Sequence, residues 1–164
     1  MKIGIISDTH GHDARLGAAM AVLTARGVRA VVHCGDIGST QCVRTLAGAG
    51  VEAWLVAGNM DRHLDGLERE AQVGNVHFAR DFVALPIGGG RHLAVTHGDG
   101  RILDELLHSD YAYICHGHTH RLRDEWIGRT RIINPGALAR AARHTVAVLD
   151  TDLDELEIIE IRDE

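Results

Sequence analysis

The N-terminal part of the chain alternates short apolar runs with amphipathic stretches, and that order restricts the fold to a small set. Ile3 to Ile6 is an apolar run, as a strand covered on both faces requires. Leu16, Ala19, Met20 and Leu23 then recur at helical spacing, and Gly27 is a stop for that helix. Val31-Val32 marks the next strand. Val43, Leu46 and Ala47 mark a second helix, closed near Gly48 or Gly50. Val51 to Ala57 makes the third strand. A β-α-β-α-β order implies parallel strands joined by right-handed crossovers.

The rest of the chain reads differently. Val83 to Ile87 and His92 to Thr96 flank Gly88-Gly89-Gly90, the pattern of a hairpin. Ile102, Leu103, Leu106 and Leu107 predict a short helix. Tyr111 to Cys115 and Arg131 to Ile133 are predicted strands. Thr145 to Leu149 and Leu156 to Ile161 flank the turn-like Thr151-Asp152 and predict a closing hairpin, its acidic end serving as a charged guard on an edge strand. The expected architecture is α/β: two packed sheets with helices outside.

Composition narrows the function classes. The 164 residues fit a single domain, 1–164, and 45% are apolar, enough for a real core. The formal charge of -6 disfavours a nonspecific binder of long nucleic acid, which needs a basic face. It leaves open a small phosphorylated substrate, because bound cations reverse the local sign of charge. Cys34, Cys42 and Cys115 form no CxxC pair and are odd in number, so buried free thiols in a reducing compartment are expected. The opening apolar run is too short for a signal peptide, and no segment is long enough to span a bilayer. A cytoplasmic protein is the expectation.

Five polar clusters each follow an apolar run: Asp8-Thr9-His10, Gly35-Asp36, Gly58-Asn59-Met60-Asp61, Thr96-His97-Gly98 and Gly117-His118-Thr119-His120. In open α/β sheets, ligands collect beyond the carboxyl ends of the strands. Residues remote in sequence are therefore expected to converge on one rim. Each cluster alone has an ordinary reading. Ser7, Asp8 or Thr9 could cap a helix, and Gly35-Asp36 and Gly58-Asn59 could be turns. His97 alone reads as a loop histidine. The five in order, each at a strand end, favour a metal site. Carboxylate and amide oxygens suit Mg²⁺ and Mn²⁺, while imidazole suits Zn, Fe, Ni and Mn. Two such ions about 3.5–4 Å apart can share a carboxylate, activate a bridging water and neutralise charge on phosphoryl oxygens.

The series DxH, GD, GN with an acid two residues on, H, and GHxH resembles the calcineurin-like metallophosphoesterases, from Asp8 to Asn134-Pro135-Gly136. The short length, Thr96-His97-Gly98 and the late Asn-Pro-Gly resemble the YfcE-type phosphodiesterase branch, whose fold the retromer scaffold subunit shares. The resemblance implies a metallophosphoesterase-like sandwich of two mixed β-sheets flanked by helices. It implies two divalent ions, Mn expected, with Zn, Fe, Ni, Co or Mg as alternatives. The first would be held by Asp8, His10, Asp36 and His120. The second would be held by Asp36, Asn59, His97 and His118, with Asp36 bridging. The implied activity is hydrolysis of a phosphodiester by attack of a metal-bridging hydroxide. A phosphomonoesterase is the alternative within the enzyme class, and a non-catalytic scaffold like the retromer subunit is the alternative outside it. Small relatives often dimerise, which makes a homodimer a candidate assembly.

Three positions depart from the pattern. Met60 stands where the family has the histidine assigned to help protonate the leaving group, and a thioether donates no proton. His12, on the first loop, is then a candidate acid, weighed against a surface histidine at a helix start. Asp99 replaces a frequent histidine, and Ala137 follows Asn-Pro-Gly where the short branch often has Ser or Glu. Asp61 is expected to support the centre through a hydrogen bond to His10 or Asn59, or else to be a turn residue. Arg62, Arg101 and Arg121 follow motif loops, where solvated arginine is the ordinary outcome. His33 and His116 carry no spacing signal and read as core or surface residues.

Overall fold

A computed structural model describes residues 1–162. Strand β1 (Lys2–Ile6) leads through helix α1 (Asp13–Ala25) to β2 (Ala30–His33), then through α2 (Thr40–Gly48) to β3 (Glu52–Val56), and through α3 (Leu64–Val73) to β4 (Val76–Ala79). These four strands are parallel and adjacent. The chain then crosses to a second sheet: β5 (Phe82–Gly88), β6 (Arg91–Thr96), α4 (Ile102–Leu107), β7 (Tyr113–Cys115), β8 (Leu122–Ile127) and β9 (Thr130–Pro135). It returns as β10 (Thr145–Asp150) and β11 (Glu155–Glu160). The first sheet has the order β11-β10-β1-β2-β3-β4 and the second β5-β6-β7-β9-β8. Both are mixed. β10 pairs antiparallel with β1, while β6, β7 and β9 are parallel with β5 and β8 antiparallel at the edges.

Alternation along each strand sorts the apolar side chains into layers. Ile3, Ile5, Val32, Trp54 and Val56 face the second sheet, where Leu85, Leu93, Val95, Tyr113 and Ile133 meet them. Ile6, Val31, Ala53 and Leu55 face the other way, onto Leu16, Leu23, Val43, Leu46 and Leu67 of α1, α2 and α3. A smaller cluster sets Leu106 of α4 against Ala94, Ile114 and Ile132. The layers therefore run helix, sheet, sheet, helix. Gly4 makes close packing possible on the helical side, since a Cβ there would come within 2.9 Å of Leu23 Cδ1. The three cysteines are buried and unpaired. No described helix is long and apolar enough to cross a membrane.

The predicted elements are all present, and three further ones join them. α3 buries only Leu67 and Ala71, too narrow a stripe to stand out. β4 has four residues, with only Val76 buried. β8 is an edge strand, LRDEWI, whose side chains are mostly exposed, so no apolar alternation marks it. The predicted strand from Tyr111 begins later, at Tyr113.

Candidate metal centre

Parallel pairing places the carboxyl ends of β1, β2 and β3 side by side, and those of β6 and β7 across from them. The loops that leave these ends are tight. Asp8, His10, Asp36, His118 and His120 have φ of 54°, 47°, 53°, 67° and 56°, in the left-handed region. Among the described residues only three other non-glycine positions have positive φ. Such backbone is costly for most residues, although Asp tolerates it better, and it gathers where structure is over-determined for function. Two glycines permit the approach of the loops. A Cβ on Gly58 would collide with the carboxylate and backbone N of Asp36, and one on Gly117 with Ser7 Oγ and the Asp8 carboxylate.

One group of side chains is Asp8, His10 and His120, and a second is Asp8, Asp36 and His97; in each, the candidate ligand atoms lie within 4.8 Å of one another. His120 Nδ1 donates to the Arg140 carbonyl at 3.2 Å, which leaves its Nε2 bare. That nitrogen faces Asp8 Oδ1 at 3.2 Å and His10 Nε2 at 3.4 Å. Asp8 Oδ2 is occupied by Ser7 Oγ at 2.6 Å and the His118 amide at 3.1 Å. Asp8 Oδ1, by contrast, is buried with no hydrogen-bond partner. Lone pairs thus point at lone pairs around an orphaned carboxylate oxygen, an arrangement that a cation satisfies.

The second group is ordered the same way. His97 Nδ1 lies 2.8 Å from the Cys34 carbonyl, so it carries the hydrogen and Nε2 faces inward. That Nε2 is 2.8 Å from Asn59 Oδ1 and 3.5 Å from Asp36 Oδ2. His118 Nδ1 reaches the same Asn59 oxygen at 3.3 Å. Asp36 Oδ1 accepts the Met60 amide at 2.8 Å. Its Oδ2 stands between the groups, 3.7 Å from His10 Nε2 as well as 3.5 Å from that of His97. The mixed nitrogen and oxygen donors fit borderline-to-hard divalent ions.

Charge follows from this packing. Burial pushes the Asp36 carboxyl up, but hydrogen bonds from His97 and the Met60 amide outweigh it and hold it below the usual carboxylate range. Burial likewise disfavours a charged His97, yet its bond to Asp36 and the Cys34 carbonyl carry it to about 9. His10 goes the other way, lowered by burial against the pull of Asp36, with Arg140 opposing its protonation further. His33 is fully buried behind the centre and stays neutral, its pKa lowered to about 3 chiefly by burial. The Gly35 amide donates to its Nδ1 at 3.3 Å, so Nε2 donates to Thr9 Oγ1 at 2.8 Å.

Asp61 has different partners from those expected. Its carboxylate accepts the amides of Gly38 and Gly58, each at 2.9 Å, and of Ile37 at 3.3 Å. It ties the loop after β2 to the loop after β3 rather than bonding His10 or Asn59. Burial pushes its carboxyl up in spite of these amides. His12 is exposed at the start of α1, and its side chain makes no cap hydrogen bond; it joins neither group of candidate ligands. Asn134 does more than shape a turn, since its Nδ2 donates to the Gly117 carbonyl at 2.9 Å and to Thr119 Oγ1 at 3.1 Å, bracing the loop that carries His118. Two participants escaped the sequence reading. Ser7 fixes the rotamer of Asp8, and only its place beside the first motif hints at it. Arg140 holds His120 through its backbone carbonyl, arrives on the long turn after β9, and has no motif to betray it.

Residues 1–154 match the family model of the calcineurin-like phosphoesterase superfamily domain. Phosphodiesterase MJ0936 of Methanocaldococcus jannaschii is 28% identical over 160 residues, covering 94% of this chain and 96% of that protein. The solved structure of a novel archaeal phosphodiesterase superposes with a TM-score of 0.88 at 28% identity, over 98% of this chain and 99% of that one. YfcE, a phosphoesterase from E. coli, shares the fold with a TM-score of 0.70 at 17% identity, over 99% and 100% of the two chains. With its DxH-to-GHxH series gathered at one rim of two mixed sheets, the chain belongs to the calcineurin-like phosphoesterase superfamily.

Proposed function

We propose that this protein is a dimetal-dependent phosphodiesterase acting on a small phosphate ester. The observation that carries the reading is the orphaned Asp8 Oδ1, faced by the bare Nε2 of His120. Asp8, His10, Asp36 and His120 would hold one divalent ion, and Asp36, Asn59, His97 and His118 the other. Such ions, when bound, supply an activated water and offset charge on the phosphoryl oxygens. The chain's own contribution is placement. Cys34 and Arg140 carbonyls orient the rings of His97 and His120, and the Met60 amide fixes Asp36 so that Oδ2 points between the groups. Met60 offers no proton to a leaving group, so the reading favours esters of acidic alcohols. Mn²⁺ is the ion we expect to support activity in solution, and the same reading takes residues 1–164 as one catalytic domain of a cytoplasmic enzyme.

Hydrolysis of bis-p-nitrophenyl phosphate by metal-stripped protein, with and without Mn²⁺, tests this directly. Turnover restored by Mn²⁺ and absent from Asp36→Ala is the expected result. A folded wild-type protein that is inactive with every divalent ion would refute it.

A further inference from the structure

Two grooves open on either side of the Gly58–Asp61 loop. One, of 410 Å³, is lined by Gly38, Thr40, Met60, Arg62, His63 and Leu67 among others. The other, of 400 Å³, is lined by Asn59, Leu64, Arg80, Asp99, Gly100 and Ile102 among others. The second is lined by the candidate ligand Asn59, and the first by its neighbour Met60. Met60 enters the first groove while its amide holds Asp36 Oδ1 at 2.8 Å. Asn59 enters the second while its Oδ1 meets His97 at 2.8 Å. The grooves are near-equal in size and are lined by consecutive residues, Asn59 and Met60.

Their chemistry differs. Met60 is 39% exposed and lies next to the candidate ligand Asn59. With Leu67 it gives the first groove a soft, polarisable wall suited to a flat ring. In the second groove Arg80 is already paired with Asp65 and Glu68, and Asp99 lies near. Although Leu64 and Ile102 also line it, this groove is the more polar of the two and the better suited to hydroxyl-bearing groups.

A monoester has one organic arm and would leave one groove empty. A diester has two arms that diverge from the phosphorus. We propose that the substrate is a diester with an arm in each groove, an aromatic arm against Met60 and a polar arm beside Asp99. This rests on the phosphodiesterase reading above and adds the class of diester: two substantial and unlike arms.

Thr40→Trp would fill the first groove and Gly100→Trp the second. A Cβ at Gly100 meets nothing within 4 Å and needs no unusual backbone. Thr40→Leu and Gly100→Leu are smaller fills that guard against misfolding. Steady-state kinetics with Mn²⁺ would compare thymidine 5′-(p-nitrophenyl phosphate), a diester with one aromatic and one hydroxyl-bearing arm, with p-nitrophenyl phosphate. The diester KM is expected to rise about tenfold in each Trp variant, with intermediate rises in the Leu variants, an effect of ~1.4 kcal/mol per blocked arm. The monoester KM should rise in at most one of the two. A diester KM indifferent to either fill would overturn the assignment, as would equal losses for both esters in both variants. Wild-type protein that hydrolyses neither ester would sink the phosphodiesterase reading along with it, whereas active wild type with indifferent grooves would sink only this one.

Discussion

Replacing Asp61 with Asn isolates the brace between the two ligand-bearing loops without touching a candidate ligand. Asp61 is 7% exposed, and its carboxylate accepts three backbone amides, Gly38 on Oδ1 and Gly58 with Ile37 on Oδ2. An amide side chain has one acceptor oxygen and one donor nitrogen. With its oxygen toward Gly58 and Ile37, its NH₂ group would face the Gly38 N–H, donor against donor. The opposite rotamer would lose two bonds instead of one. Hydrogen bonds to a charged acceptor contribute about 1.5–3 kcal/mol each, so the better rotamer loses roughly that much. For a chain of this size the melting temperature should fall by about 3–12 °C. Thermal unfolding of metal-stripped protein, followed by circular dichroism, is the assay. The brace also fixes Gly58 against Asp36, so Mn²⁺ affinity by calorimetry should weaken alongside. An Asn variant that melts within about 1 °C of wild type and binds Mn²⁺ equally would refute the argument.

Other perturbations are equally specific. Gly117→Ala drives a Cβ into Ser7 Oγ and the Asp8 carboxylate, so stability should fall by about 1–3 kcal/mol and Mn²⁺ binding should weaken, as melting and calorimetry would register. His33 is held near pKa 3 in the fold against 6.5 unperturbed. Its neutral burial therefore contributes stability that is full above pH 6.5 and declines as pH falls from there toward 3. Urea unfolding of metal-stripped protein across that range should show the decline, and His33→Gln, which cannot take up the proton, should show less of it. Arg140 is exposed, has no ion-pair partner among the described residues, and lies close enough to His10 to oppose its protonation. If its guanidinium meets the substrate phosphate, Arg140→Ala should raise KM about tenfold, with kcat largely kept and Arg140→Lys in between.

The rim was legible because parallel β-α-β connectivity leaves little choice about where strand-end loops go. Once Ile3–Ile6, Val31-Val32 and Val51–Ala57 were read as consecutive parallel strands, Asp8, Asp36 and Asn59 had to be neighbours. The elements that escaped are those whose stability comes from partners and not from their own pattern. β8 is held by its pairing with β9, and its exposed LRDEWI shows no period. Asp61 was placed near the centre for the wrong contacts, because backbone amides leave no trace in a sequence. Arg140 was invisible for a related reason: its carbonyl, common to every residue type, is what holds His120.

The left-handed backbone at Asp8, His10, Asp36, His118 and His120 also shapes how this centre can drift over evolutionary time. Alanine at any of them would lose a donor and also strain the chain by about 1–2 kcal/mol, whereas Asn and Gly accept that conformation readily. Neutral walks away from metal binding should therefore pass through Asn or Gly at these five sites, and a descendant that had abandoned the metals would carry those two residues as the scar.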